Sequence, residues 1–119
     1  MIEIILPYPN MALSPNRRNG KHFGATVNAK IADRKMGEYA AMPFLINNSF
    51  VATGKDYALT ITFYHATKSC PDLDNLLSAS KHRLDGIALM LGINDKQFHP
   101  ITLRREYRKG DGGMKIVIE

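Results

Sequence analysis

Tyr57-Ala58-Leu59-Thr60-Ile61-Thr62-Phe63-Tyr64 is followed, after a short polar stretch, by Pro71-Asp72-Leu73-Asp74-Asn75-Leu76-Leu77, and these two segments decide the fold. In the first, Tyr57, Leu59, Ile61 and Phe63 alternate with Ala58, Thr60, Thr62 and Tyr64. A period of two in residues that suit a pleated surface predicts a strand. In the second, the period changes. Leu76, Leu77, Ser80, Leu84, Ile87 and Leu91 fall within a stripe of ~100° at 100° per residue. That predicts one helix from Asp74 or Asn75 to Leu91, with Gly92 as its stop and Ile93 packing back on the last turn. Gly86 lies inside this helix, where it costs about 1 kcal/mol relative to Ala; a close packing contact would explain it.

Working outward, Ile2, Ile4 and Leu6 alternate with Glu3 and Ile5, an opening strand that Pro7 and Pro9 end. Residues 13–24 are rich in Pro, Asn, Gly and cations and read as a long polar loop. A helix is predicted from Asn28, as its cap, to about Met42, with Pro43 ending it. Ile31, Tyr39 and Met42 share one of its faces, with Lys35 an exception there. Asn47-Asn48-Ser49 and Thr53-Gly54-Lys55-Asp56 read as turns. Ile101, Leu103 and Tyr107 predict a strand, interrupted by Arg105; Gly110-Asp111-Gly112-Gly113 is a turn; Met114, Ile116 and Ile118 form a closing strand. The expected fold is α+β: a single domain over 1–119 with a mixed β-sheet, two main helices, the order β-α-β-α-β-β and a terminal hairpin.

Composition narrows the function. The 119 residues suit one domain with a core of its own, and the formal net charge is +5. Such a charge favours an acidic partner, nucleic acid first. The lone Cys70 forms no internal disulfide and fits a reducing compartment. No apolar run approaches the roughly 20 residues of a membrane span, and the opening segment lacks the pattern of a signal peptide, so a cytoplasmic protein without membrane contact is expected.

Within this cationic chain, Asp72 and Asp74 stand two positions apart and Asp95 follows the helix. Mg²⁺ takes oxygen ligands in near-octahedral geometry and keeps several waters, so two or three carboxylates and a phosphate oxygen complete such a site. In an extended segment, residues i and i+2 point to the same side. A second reading is open. Asp and Asn after Pro are ordinary residues at a helix start, where they cap free N–H groups and suit the dipole. Asn94-Asp95 after Gly92 also reads as a plain turn. The predicted helix is about 25 Å long, so Asp95 reaches Asp72 only if the chain runs back or a second subunit contributes.

Pro71 to Leu77, Leu84-Asp85-Gly86-Ile87-Ala88 and Gly92-Ile93-Asn94-Asp95-Lys96-Gln97 resemble the core motif of the RusA family of Holliday junction resolvases, common in phages and prophages. The opening strand ending in Pro and the Pro15-Asn16-Arg17 loop resemble the family's start. The resemblance implies a RusA-like fold and a homodimeric endonuclease that uses Mg²⁺, with Mn²⁺ as the alternative, to cut branched DNA such as a four-way junction. It implies Asp72, Asp74 and Asp95 as metal-binding carboxylates. The family has a functional Lys four residues after the second Asp, where this chain has Ser78. Lys81, three residues further, is the candidate substitute, because helical side chains tilt towards the N-terminus. Lys96 is the second candidate. A bacterial or phage-encoded protein is expected.

The expected DNA contacts are Arg17, Arg18 and Lys21 in the loop, Lys30, Arg34 and Lys35 on the first helix, and Lys96, Arg104 and Arg105, with Arg108 and Lys109 completing the second cluster. Phosphate contacts of this kind give affinity and salt sensitivity without sequence preference. The four histidines lack zinc-type spacing, and no Ser-His-Asp, P-loop or Rossmann pattern is present. Two other functions remain open: a junction-binding protein of the same fold with weak or lost cleavage, motivated by Ser78, and an RNA-binding module whose Asp residues only cap a helix.

Overall fold

The structure, a computed structural model, describes residues 1–14 and 23–119. Ile2–Leu6 form β1, Phe23–Ile46 α1, Tyr57–His65 β2, Leu73–Ala79 α2, Lys81–Leu91 α3, Phe98–Tyr107 β3 and Gly113–Ile118 β4, with 3-10 turns at Met11–Leu13 and Asp95–Gln97. The strands make one mixed sheet in the order β1-β4-β2-β3. β4 runs antiparallel to both β1 and β2, whereas β3 runs parallel to β2. The described residues form a small α+β domain with a mixed sheet and three α-helices, and none of these helices is long and apolar enough to cross a membrane.

Register puts the alternating apolar residues on one face. Ile2, Ile4 and Leu6 oppose Ile118, Ile116 and Met114, which in turn oppose Leu59, Ile61 and Phe63. These side chains are buried together with Ala41, Leu76, Ile87 and Leu91 from the helices. The other face carries Thr60, Thr62, Arg104, Glu106 and Lys115 along a shallow groove.

Four sequence expectations change. The terminal hairpin is absent, because β2 lies between β3 and β4. β4 buries Met114, Ile116 and Ile118 and takes an inner position; β3, exposed at Arg104, Arg105 and Glu106, suits an edge. The predicted helix 74–91 is two helices. At Ser80 the backbone N–H is shared among the carbonyls of Leu76, Leu77 and Ser78, and the Ser80 hydroxyl donates to Leu76 O at 2.8 Å. Serine bonding back into the preceding turn bends a helix. α1 starts at Phe23, not Asn28, and passes through Pro43 to Ile46. Pro43 is exposed and stands near the helix end, so the turn it disturbs faces water and the chain closes again with Asn47 N–H donating to Pro43 O at 3.0 Å.

The face of α1 is the fourth change. Ile31 and Tyr39 are 50% and 63% exposed, while Asp33, Gly37 and Ala41 are buried. This small-residue row packs on α3. A Cβ at Gly37 would overlap the Arg83 carbonyl oxygen, and a Cβ at Gly86 would overlap the Arg34 carbonyl oxygen. The two glycines therefore let the helix backbones touch, which accounts for Gly86 inside α3. Arg83 locks the same crossing: its Nε and Nη2 donate to Asp33 Oδ1 at 3.2 and 2.8 Å, and Nη1 donates to the Pro7 carbonyl.

Candidate functional site

The chain leaves β2 at His65 and enters α2 at Asp72, the helix N-cap, whose backbone is extended at φ −63°, ψ 150°. An Asp in this place ordinarily accepts a bond from the first-turn N–H groups. Here the Asp72 carboxylate accepts no capping bond, and only its backbone carbonyl is engaged, by Leu76 N–H at 3.1 Å. Capping therefore leaves this carboxylate unexplained. It is exposed, and Asp72 lines a cavity of about 490 Å³ with Cys70, Asn75, Met11 and Ser14. The Pro-Asn-Arg segment of the sequence follows directly on Ser14. Arg17, Arg18 and Lys21 lie outside the described residues.

Asp74 is exposed in the first turn of α2. Ser78 is four residues on, so the two Cβ atoms lie about 6 Å apart on one helix face. Ser78 lines a second cavity, of about 310 Å³, together with Lys81, Asp85 and Asp95, over an apolar floor that includes Leu59, Leu84 and Phe98. Asp95 reaches this place because the chain does turn back after α3. Gly92 adopts the left-handed conformation at φ 73°, and Ile93 N–H donates to Ala88 O at 2.9 Å. Asn94 and Gln97 then form a reciprocal capping box, and Gln97 Nε2 donates to Lys55 O at 2.9 Å, tying the turn to the loop before β2.

Asp95 thus meets Ser78 and Lys81, while Asp72 stands at the opposite end of α2, about 9 Å along its axis at 1.5 Å per residue. Among the described residues, no three His, Cys, Asp or Glu side chains gather as a metal-holding group. Asp72 and Asp74, both exposed at the start of α2, are hard oxygen donors of the kind that bind a divalent ion whose shell water and phosphate complete. Among the described residues of the chain, Asp72, Asp74 and Asp95 do not close into a three-carboxylate cage. Lys81 is 64% exposed and its Nζ lies 3.7 Å from Asp85 Oδ1, a solvent-screened pair that leaves the ammonium cheap to redirect.

The expected DNA-contacting cations do not share one face. Arg104 lies in the groove on the open side of the sheet; Arg105, the next residue on a strand, points to the opposite side. Arg34 lies 3.9 Å from Glu38. Lys35 is exposed on α1, Lys30 is half-buried, and Lys96 is exposed beside Asp95. Arg108 is occupied with the fold: its guanidinium stacks 3.6 Å from the Tyr64 ring centroid and lies 3.6 Å from Asp111.

Three further residues carry chemistry that the sequence reading passed over. Arg83 falls on the apolar stripe between Ser80 and Ile87, and a cation in that place was the available signal. His65 continues the buried alternation of β2 by one step. It is 4% exposed, and its Nδ1 lies 2.8 Å from the Tyr8 hydroxyl. Burial, and then the charge of Arg105, hold the ring below its ordinary pKa. Tyr8 is pushed above its ordinary value by burial and by the neighbouring Cys70.

No family model matches the chain. A protein of Xylella fastidiosa (strain Temecula1 / ATCC 700964), described as an uncharacterized protein, is 35% identical over 103 residues, which is 85% of this chain. The chain spans 66% of that relative's length.

Proposed function

We propose that this protein is a metal-dependent endodeoxyribonuclease of branched DNA, similar to the RusA Holliday junction resolvases and active as a homodimer. The observation that carries the reading is the Asp72 carboxylate, which stands at a helix N-cap and takes no part in capping. Asp74 follows on the same short helix, and in sequence the cationic residues Arg17, Arg18 and Lys21 come shortly after Ser14, which lines the cavity with Asp72. The small α+β domain with a mixed sheet is the coarse architecture that the resemblance implies.

Asp72 and Asp74 would hold Mg²⁺ or Mn²⁺, which supplies an activated water and charge neutralisation for phosphodiester hydrolysis. The remaining work falls to the chain's own groups. Lys81, at the Ser78 end of α2, offsets charge on the phosphate in place of the family Lys. The full carboxylate set requires Asp95 to close on Asp72 and Asp74, within the protomer or across a two-fold dimer. Two sites on such a dimer place paired cuts on opposing strands.

A second reading is favoured by Ser78: a junction-binding protein of the same fold with weak cleavage. A four-way junction incubated with Mg²⁺ or Mn²⁺ separates the two. The nuclease reading expects paired cuts that vanish in Asp74→Asn and rise at least about tenfold in Ser78→Lys, the range of a single transition-state charge contact. Cutting that survives Asp74→Asn sinks the metal role; binding without cutting, in both wild type and Ser78→Lys, selects the second reading.

A further inference from the structure

β3 forms one edge of the sheet, beside β2. Eight of its ten residues are exposed, and no strand pairs with its outer edge among the described residues. The parallel register with β2 sorts its side chains. Ile101, Leu103, Arg105 and Tyr107 oppose Leu59, Ile61, Phe63 and His65, on the side that carries the helices. Thr102, Arg104 and Glu106 oppose Thr60, Thr62 and Tyr64, on the open side. The helices do not cover this strand: Ile101 is 48% and Tyr107 49% exposed, although both belong to the helix side. Among the described residues, neither Arg104 nor Glu106 forms an ion pair. An outer edge with uncovered apolar residues and two uncommitted opposite charges is a surface for strand addition.

We propose that the outer edge of β3 pairs antiparallel with β3 of a second copy of this chain, in the register that sets Arg104 opposite the partner's Glu106. Residues that face each other across an antiparallel pair lie on one side of the sheet, so a two-fold pairing sets open-side residues against open-side residues. With Arg105 on the axis, Arg104 meets the partner's Glu106 twice on the open side, and Leu103 meets the partner's Tyr107 twice on the helix side. An axis at Arg104 opposes two arginines and leaves Glu106 facing the partner's Thr102; an axis at Glu106 opposes two glutamates. Opposite charges and apolar pairs at facing positions stabilise by about 0.2–1 kcal/mol each, and like charges destabilise, so the charges on this edge select one register. Pro100 has no N–H to give and ends the usable edge on the other side. The two Arg105 guanidiniums meet at the axis; their repulsion is the cost of this register, and a DNA phosphate between them removes it. The axis stands normal to the sheet, so both helix layers, with Asp72 and Asp74 at the start of each α2, lie on one side of a continuous sheet. The interface deepens the homodimer of the nuclease reading, whereas the pairing itself needs neither metal nor DNA.

The test is sedimentation equilibrium of the full-length chain without metal or DNA. Five facing positions make an interface at the weak end of specific association, so the chain is centrifuged at concentrations up to about 200 μM. A reversible dimer is expected. Arg104→Glu and Glu106→Arg each turn two opposite-charge pairs into like-charge pairs and should weaken it at least about tenfold. The double variant, Arg104→Glu with Glu106→Arg, restores the pairs in reverse and should recover the dimer. Both side chains are exposed, so the variants keep the fold, which far-ultraviolet circular dichroism verifies. A wild-type chain that stays monomeric, single variants that dimerise as well as wild type, or a double variant as weak as the single ones overturns the interface. Junction cleavage is scored separately. A charge-sensitive dimer that does not cut fails the nuclease reading alone; a chain that cuts while monomeric at the highest concentration fails the interface alone.

Discussion

Replacing Gly86 with Ala sets two physical effects against each other. By helix propensity alone the change stabilises α3 by about 1 kcal/mol. The structure forbids that gain. The new methyl would overlap the Arg34 carbonyl oxygen and stand 3.0 Å from the Glu38 backbone nitrogen. Both neighbours are backbone, so no rotamer change relieves the clash and α1 must move off α3. Overpacking of this kind costs about 1–3 kcal/mol, and a clash with rigid backbone belongs at the upper end. Separation also lengthens the Arg83–Asp33 bonds across the same crossing. The net expectation is a loss of about 2 kcal/mol, or ~8 °C in Tm for a domain of this size. Urea and thermal unfolding followed by circular dichroism measure it. Gly54→Ala is the control: Gly54 has φ +81° with nothing within 4 Å, so it loses only the ~1 kcal/mol of a left-handed backbone. A Gly86→Ala protein as stable as wild type would refute the close helix crossing.

Two other predictions concern buried charge. Arg83→Met leaves Asp33 buried without its cation and should cost about 3–5 kcal/mol, whereas Asp33→Leu combined with Arg83→Met should recover most of the loss; chemical denaturation of the single and double variants checks both. His65 and His82 are both held below their ordinary value of 6.5, first by burial, with Arg105 adding to the shift for His65. For His82, Lys30 and Lys81 also lower the value while Asp85 and Asp33 oppose them. The unfolded chain therefore binds more protons than the folded one below pH of about 6.5. The stability these groups contribute is present above that pH and is lost as the pH falls towards their folded values. Tm should be lower at pH 5.5 than at pH 7.5, and His65→Gln should narrow the difference; a Tm that rises on acidification contradicts the assignment.

β2 and the apolar stripe of the helical segment after it were legible because their periodicities are clean: Leu59, Ile61 and Phe63 on one side of a strand, then Leu76, Ile87 and Leu91 at helical spacing, whereas the break at Ser80 between the two helices was not. The packing of α1 was not. Its buried row is Asp33, Gly37 and Ala41, which carry little hydrophobicity, while Ile31 and Tyr39 draw the eye and face water. Close backbone approach selects for lack of side chain, and hydrophobic pattern cannot register that. The place of β4 between β1 and β2 depends on which strand buries both its edges, a long-range property that local turn residues at 110–113 do not encode. At the site, the carboxylates were legible as residue types. The Gly92 stop, with Ile93 folding back on the last turn, was legible too; the return of Asp95 to Ser78 and Lys81 was not, because it depends on the capping box that follows and its tie to Lys55. Arg83, Tyr8 and His65 stayed hidden because each matters through a partner more than 30 residues away: Asp33 for Arg83, and Tyr8 and His65 for each other.

The inner position of β4 also governs how the domain can be made. Ile2 pairs with Ile118, so during translation β1 waits for β4. Until residues 113–118 leave the ribosome, β1 has no partner strand and β2 lacks the neighbour on one side. The nascent chain then exposes two unsatisfied edges of Ile, Leu and Phe, the surface on which strands from different chains pair. Such non-local pairing closes late and slowly. Synthesis of this domain is therefore an all-or-nothing event: loss of its last six strand residues removes the central plank of the sheet, not a dispensable tail.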